Sequence, residues 1–185
     1  MPKIIVTKQE WIEEGFKQFS KHGEHALIVE KMANKLKVNK SSFYWYFKTK
    51  QVFINEIVSY WVFKETEQII NSADKFENPK EKWNEFLIIA FRNDPYLEFI
   101  FYLKRYATKH PSIQKIIDEI DSRRLDFTSK LLQELGYLEK ESIIKASLFY
   151  KYLIGYHEMI RYKEQKENYI EEVKNELSHF ISILK

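Results

Sequence analysis

The fold prediction starts from residues 38–50, which read VNKSSFYWYFKTK. Asn39 can accept hydrogen bonds from backbone N–H groups and so act as the N-cap of a helix. Phe43 and Phe47 are four residues apart, which places both side chains on the same helical face. Thr49 offers the N-cap of a further helix. The stretch therefore predicts a helix of about two turns that is followed at once by another helix.

Helices also precede this stretch. Apolar side chains recur at helical spacing over residues 28–36, which predicts a helix of about two turns just before Asn39. A capping-box pattern that begins at Thr7 and a glycine stop at Gly23 predict a first helix over residues 8–21. Two short helices joined by a tight turn are typical of a helix-turn-helix.

The charge distribution points to the same region. Residues 1–55 hold ten lysines and five glutamates, whereas residues 56–185 hold 20 basic and 22 acidic residues. Residues 31–55 contain six lysines and no acidic residue. This segment is suited to bind anions, although a lysine-rich surface is often only a solvated surface.

DNA is the anion that this pattern fits. A recognition helix needs small polar residues at its leading turn to approach base edges, and lysines around it to neutralise phosphates. We expect base-edge contacts from the leading turn, at Asn39, Lys40, Ser41 and Ser42. We expect phosphate contacts from the surrounding lysines, which are Lys37, Lys48 and Lys50.

The spacing also follows a known family pattern. The run at residues 40–50 has the order basic, small, small, apolar, Tyr, any residue, aromatic, Phe, two further residues and Lys. Further matching positions precede it, at Ile12, Phe16, Phe19, Gly23, Ala33 and Val38. The first quarter of the chain thus resembles the DNA-binding domain of the TetR (tetracycline-repressor) family of bacterial transcription regulators.

This resemblance implies roles for single positions. Ser42 and Lys40 would contact bases or phosphates. Tyr44 and Tyr46 would contact phosphates, and Lys50 would bind phosphate at the start of the fourth helix. The two tyrosines could also half-bury their rings in a small core with their hydroxyls pointing outward, and the two interpretations are compatible.

One departure from the family pattern predicts a backbone feature. Lys37 stands where the family usually has glycine. We therefore expect a left-handed, mildly strained backbone at this turn.

Composition limits the remaining possibilities. The 185 residues are 44% hydrophobic and include only 4 Gly and 4 Pro, which favours helices over a protein with many hairpin turns. The absence of cysteine excludes disulfides, thiolate metal sites and a cysteine nucleophile. No stretch resembles a membrane span, so a cytoplasmic protein is expected. No histidine pair has metal-site spacing and no catalytic constellation stands out, so we expect no enzyme activity, no metal and no cofactor.

The sequence and the resemblance together predict an all-α protein of about nine helices. A helix-turn-helix DNA-binding domain would span residues 1–49, and a regulatory, ligand-binding and dimerisation domain would span residues 50–185. Proline and glycine signals place later helices at residues 79–93, 95–109 and 111–135. The helical spacing of apolar residues places the others at residues 50–72, 140–163 and 167–184.

The later helices suggest an effector pocket. They are rich in aromatic residues, most of which must form the core. A cavity lined by phenyl and tyrosyl side chains would suit a small apolar or aromatic effector. We expect pocket contacts from Tyr102, Tyr106, Phe127, Tyr152 and Tyr156. Arg105 and Arg161 could add a preference for an anion.

The last two helices suggest a homodimer. Residues 140–163 are apolar on more than one face, and Gly155 would allow a partner helix to approach closely. Residues 167–184 carry a narrow apolar seam. The expected interface residues are Leu148, Tyr152, Leu153, Gly155, Val173, Leu177 and Phe180.

The predicted function is a regulator, most simply a ligand-responsive repressor that binds a palindromic DNA operator as a dimer. The alternative is a helical interaction or enzyme-like bundle whose basic N-terminal region is incidental.

Overall fold

The chain is all-α in the computed structural model, which describes residues 6–93, 98–160 and 163–182. A π-helical segment, Phe63–Glu67, joins the helices Lys50–Val62 and Gln68–Ala73 without a break. Besides one short 3-10 helix, Glu24–Ala26, these described ranges therefore form nine separate α-helical segments and no strand, in agreement with the predicted all-α fold of about nine helices. The helices are α1 (Lys8–His22), α2 (Val29–Lys35), α3 (Ser41–Phe47), α4 (Lys50–Val62), α5 (Gln68–Ala73), α6 (Pro79–Ala90), α7 (Phe99–Ala107), α8 (Pro111–Glu134), α9 (Glu139–Ile160) and α10 (Tyr169–Leu177).

Local hydrogen bonds account for several helix ends. The Thr7 side chain accepts a hydrogen bond from the Glu10 N–H, and the Glu10 carboxylate accepts one from the Thr7 N–H, which completes the predicted capping box. The Asn78 side chain caps α6 by accepting hydrogen bonds from the Lys80 and Glu81 N–H groups. Gly136, just after α8, has the positive φ of 100° that favours glycine. These starts and stops lie where the sequence places them.

Two helices end earlier than predicted. α6 ends at Ala90, because Phe91 leaves the helix and the Gln165 side chain donates a hydrogen bond to the Phe91 carbonyl at 2.6 Å. α10 ends at Leu177, after which the chain turns and buries Ile181. The predicted helix start at Pro95 and the predicted end at residue 184 lie outside the described residues, as does Arg161.

One compact unit comprises residues 1–64 and 95–115. In it α1 packs on α4 and α7, and Gly15 makes the approach of α4 possible, since a Cβ there would lie 2.3 Å from Phe53 Cζ. Phe43 and Phe47 anchor α3 by inserting into this core. The largest buried side chains of the unit are Trp11, Phe16, Phe19, Met32, Phe43, Phe47, Phe53, Ile54, Ile57 and Phe99.

This unit is larger than the predicted DNA-binding domain of residues 1–49. α7 belongs to it because the Phe99 ring packs against the rings of Phe16 and Phe19, with centroids 4.8 and 4.9 Å apart. Compactness and biological role are different properties, so the functional division at residue 49 stays a prediction.

The second compact unit comprises residues 65–94 and 116–185. α5 packs on α6 within it, and its core includes Trp83, Phe86, Phe91, Leu132, Phe149, Val173 and Leu177. The burial of Val173 and Leu177 corrects the predicted dimer interface, because both side chains are already covered by their own protomer. The seam on α10 is thus a core contact inside one chain.

Candidate nucleic-acid interface

The turn between α2 and α3 has the predicted left-handed backbone. Lys37 has a φ of 56°, and the Val38 N–H donates to the Ala33 carbonyl at 3.0 Å. A side chain with a Cβ is strained in this region of φ, which glycine occupies freely. The predicted left-handed backbone at Lys37 is confirmed, and the strain stays a prediction.

The leading turn of α3 is held by its own polar side chains. Asn39 Oδ1 accepts a hydrogen bond from the Ser41 N–H at 2.9 Å, as expected of a capping residue. Ser42 Oγ donates to the Asn39 carbonyl at 2.9 Å. Because a hydroxyl oxygen keeps acceptor capacity after donating, Ser42 can still accept a hydrogen bond from a base amine. This turn is therefore rigid and polar.

The two faces of α3 differ sharply in burial. Phe43 and Phe47 are each 1% exposed, whereas Tyr44 is 50% exposed and Trp45 is 76% exposed. Trp45 is absent from the predicted site, although its position was readable: residue 45 lies off the face shared by residues 43 and 47. An indole exposed to this degree on a recognition helix is available to contact bases or sugars.

The two predicted tyrosines have different surroundings. Tyr44 projects from the helix, which suits a phosphate contact. Tyr46 is half-buried, and its hydroxyl donates to the Val6 carbonyl at 2.9 Å. Tyr46 thus connects α3 to the chain segment just before α1. A half-buried ring, one of the two roles expected of these tyrosines, describes Tyr46 better than Tyr44.

Two of the predicted DNA-binding lysines are paired with acids. Lys40 Nζ lies 3.1 Å from Glu30 Oε1, and the hydrogen bond from Lys40 holds the pKa of Glu30 below its usual value. Lys50 Nζ lies 3.5 Å from Glu24 Oε1 and donates to the Glu24 carbonyl at 3.3 Å. The remaining predicted lysines, Lys37 and Lys48, are exposed at the two ends of the α3 region.

The hydroxyls of the four tyrosines predicted to line an effector pocket are already hydrogen-bonded within the protein. Each of the four has a protein partner: Tyr102 donates to the Lys21 carbonyl, Tyr106 to Gln51 and Tyr152 to Glu176, while Tyr156 accepts from Gln165. Phe127 is half-buried and packs edge-to-face on Phe86. A ligand is thus not needed to complete these hydrogen bonds.

A cavity occurs elsewhere. It lies between α5 and α6, has a volume of about 280 Å³ and contains none of the five predicted pocket residues. Its lining is mostly polar and includes two cations, Lys75 and Arg92, with the remaining lining supplied by Gln68, Ile69, Asn71, Ser72 and Ile89.

In the described ranges, no group of three or more His, Asp or Glu side chains is arranged to hold a metal ion. None of the helices described is both long and apolar enough to cross a membrane.

Comparison with known proteins identifies this region. Residues 12–57 match the family model "Bacterial regulatory proteins, tetR family". No curated protein sequence matches the chain. The match covers α1 to α3 and the first turns of α4, which are the elements that build and support the surface described above.

Solved structures share the whole fold at low identity. AibR, solved with isovaleryl coenzyme A and operator DNA, has a TM-score of 0.70 at 14% identity and covers 95% of this chain and 98% of its own. A TetR-like transcriptional regulator from Rhodococcus sp. RHA1 has a TM-score of 0.63 at 16% identity, over 93% of each chain. The ketosteroid transcriptional regulator KstR2 of Mycobacterium tuberculosis has a TM-score of 0.61 at 13% identity, over 97% of this chain and 96% of its own.

The family model is of bacterial regulatory proteins, and two of these structures are of transcriptional regulators. At these identities the structures establish the fold, while the family model identifies the N-terminal segment. The chain therefore carries the N-terminal domain of the TetR family of bacterial regulatory proteins at residues 12–57, within the all-α fold of TetR-like regulators.

Proposed function

We propose that this chain is a DNA-binding transcriptional regulator, a repressor that binds a palindromic operator as a homodimer and releases it in response to a small molecule. The proposal assigns no catalytic step to the chain. Because a regulator must reach the chromosome, it also places the protein in the cytoplasm.

The surface of α3 carries the proposal. Tyr44 and Trp45 are exposed between lysines at both ends of the helix, while Phe43 and Phe47 fix the helix to the core. Aromatic rings and small polar groups suit base and sugar contacts, and the lysines suit phosphates. The site residues remain those that the sequence predicts, with Trp45 added.

A stripe on α9 supports the homodimer. Ile144, Leu148, Gly155 and Met159 follow one another at spacings of about one or two helical turns, and all four are exposed. A Cβ at Gly155 would meet no atom within 4 Å, so the protomer itself does not require glycine there. Glycine inside a helix costs roughly 1 kcal/mol relative to alanine, and close approach of a partner helix would offset this cost. We place the interface on this stripe, with Tyr152, Leu153 and Phe180 at its half-buried margin.

The effector part of the proposal draws on two observations. AibR was solved with isovaleryl coenzyme A, and KstR2 is described as a ketosteroid regulator, so proteins with this fold are associated with acyl or steroid compounds. Lys75 and Arg92 line the cavity between α5 and α6, where Lys75 suits an anionic group, while Arg92 also lies 3.9 Å from Glu65 Oε1. Isovaleryl coenzyme A is a suitable first probe, and we expect it to raise the melting temperature and to release DNA.

Salt dependence of DNA binding tests the function directly. Fluorescence anisotropy with a random-sequence duplex should show affinity that falls steeply between 50 and 200 mM salt, because each lysine–phosphate contact releases counterions. Lys50→Ala should weaken binding to all sequences and reduce the slope of log K against log salt by about one. Lys130→Ala, an exposed lysine of α8, is the matched control and should change neither quantity.

The alternative gives a different result. A helical bundle with an incidental basic region would bind duplex weakly, and Lys50→Ala would then behave like Lys130→Ala. Equal behaviour of the two variants would contradict the proposed function.

A further inference from the structure

Glu30 and Lys40 meet at the leading end of the recognition helix. Glu30 lies in the first turn of α2, Lys40 directly precedes α3, and their charged atoms are 3.1 Å apart. Both side chains remain more than half exposed, at 59% and 56%. The pair thus presents a cation and an anion side by side where base edges are to be read.

An acid at a DNA-binding surface needs a physical reason. Phosphate groups are negatively charged, so they repel a carboxylate. Their oxygens only accept hydrogen bonds, so they cannot donate one to it. A carboxylate is compatible with bound DNA where a base edge offers a donor, and the amine of cytosine is the donor that Glu accepts from most readily.

Two ion pairs in this unit allow a comparison. Glu24 pairs with Lys50, whose predicted partner is a backbone phosphate. Glu30 pairs with Lys40, whose predicted partner is a base edge. When DNA binds, Glu24 meets only repulsion, whereas Glu30 can meet either repulsion or a base-edge donor. Glu30 can therefore discriminate between sequences in a way that Glu24 cannot.

The chemistry of the pair selects one kind of base pair. In the major groove a G·C pair shows two acceptors on guanine, N7 and O6, beside the N4 amine of cytosine. An ammonium group and a carboxylate held side by side complement that order of acceptors and donor. An A·T pair shows the adenine N7 acceptor, the adenine N6 amine and the thymine O4 acceptor in that order, so its donor lies between its two acceptors and it lacks the adjacent acceptors that guanine offers to the ammonium.

We propose that Glu30 is a specificity-determining residue: with Lys40 it reads one G·C pair in each half-site, Lys40 donating to guanine and Glu30 accepting from cytosine. At other sequences the carboxylate has no donor and faces the phosphates, so it acts against incorrect sites. This inference rests on the proposed function, because it requires sequence-dependent DNA binding.

The experiment begins with the wild-type protein and a randomised duplex, from which repeated rounds of binding select the preferred half-site. Competition anisotropy then compares the selected site with versions in which each G·C pair is changed to A·T. We expect one position at which the change costs the wild type about tenfold or more in affinity. Glu30→Ala should reduce that cost to about threefold or less and should strengthen binding to random duplex. Glu30→Gln should move the preference at that position towards adenine, which Gln recognises through N6 and N7.

Glu24→Ala is the matched control. It removes an acid from the other lysine pair, so it should strengthen binding to every duplex by the same factor and leave the preference intact. Circular dichroism should give the same helicity for all variants, since the Glu30 side chain is exposed.

Two outcomes would overturn the inference. One is a Glu30→Ala protein with the wild-type preference at every position. The other is that Glu30→Ala and Glu24→Ala strengthen DNA binding by the same factor and leave the base preference unchanged. Glu30 would then only repel DNA in general. A wild type that selects no sequence and shows no salt dependence would instead refute the proposed function, and that result is visible before any variant is made.

Discussion

α3 and α9 both expose large apolar side chains, but their neighbours differ. On α3 the exposed rings are Tyr44 and Trp45, which lie among serines and lysines. On α9 the exposed large apolar side chains are aliphatic, with Ile144 56% exposed and Met159 73% exposed, and Lys151 lies between Leu148 and Gly155. One helix thus combines aromatic rings with positive charge, and the other offers an aliphatic stripe that contains one lysine.

This difference shows that exposure alone does not identify a binding surface. Aromatic rings surrounded by cations and hydroxyls suit a partner with phosphates, sugars and exposed base edges. An aliphatic stripe with an exposed glycine suits another helix, because its gain comes from excluding water over a complementary surface. We therefore assign α3 to DNA and α9 to a second copy of the chain, and four predictions test that assignment.

The largest expected effect separates the two faces of α3. Phe47→Ala should lower the free energy of unfolding by about 3–5 kcal/mol, because it leaves a cavity in the core of the first unit. Trp45→Ala should leave the melting temperature almost unchanged, because its side chain is 76% exposed, yet it should weaken DNA binding at least about tenfold. Denaturant titration and anisotropy measure the two quantities. Normal DNA affinity in Trp45→Ala would remove Trp45 from the interface.

The second prediction concerns the stripe on α9. Leu148→Lys should place a charge in the interface and weaken dimerisation by about 2–4 kcal/mol, while the helicity of the protomer is retained. Sedimentation at micromolar concentration measures the change. Val52→Lys, on an exposed position of α4, is the control and should leave the dimer intact.

Leu177→Lys makes the same charge change in the protomer core. Because Leu177 is 3% exposed, we expect this variant to lose folded structure rather than only its partner. A wild type that sediments as a monomer would contradict the assignment of α9.

The third prediction compares two lysines at the DNA-binding surface. Lys40→Ala should cost about 1–3 kcal/mol of DNA-binding free energy and relax the preference at one position of each half-site. Lys50→Ala should weaken binding to all sequences about equally, because we assign Lys50 to a backbone phosphate. Binding selections with each variant distinguish the two results. If Lys40→Ala keeps both affinity and preference, the orientation assigned to α3 is wrong.

The smallest effect concerns the backbone at the turn. Lys37→Gly should raise the free energy of unfolding by about 0.5–1 kcal/mol, because glycine adopts a φ of 56° without strain. Lys31→Gly, at an exposed position inside α2, is the matched control and should lower stability by about 1 kcal/mol. Chemical denaturation of both variants checks that the free energy of unfolding changes in opposite directions. A loss of stability in Lys37→Gly would disprove the strain.

The sequence alone determined the features that depend on short-range bonds. The capping box at Thr7, the Asn39 hydrogen bond at α3 and the left-handed Lys37 each involve groups within a few residues of one another, so the local order of residues is sufficient to predict them. The helix-turn-helix and the DNA-contact residues proposed from it follow from the same local patterns. Trp45 was equally readable, since its exposure follows from helical spacing and the burial of Phe43 and Phe47.

Tertiary structure alone decided the features that depend on distant partners. α7 joins the first unit because Phe99 packs on Phe16 and Phe19, some 80 residues earlier. The tyrosine hydroxyls find partners such as the Lys21 carbonyl for Tyr102, 81 residues away. The apolar spacing that includes Val173 and Leu177 is the same whether a partner or the protomer itself covers these side chains, so the spacing does not distinguish the two. Helical periodicity identifies which face is apolar, but only long-range packing selects what that face contacts.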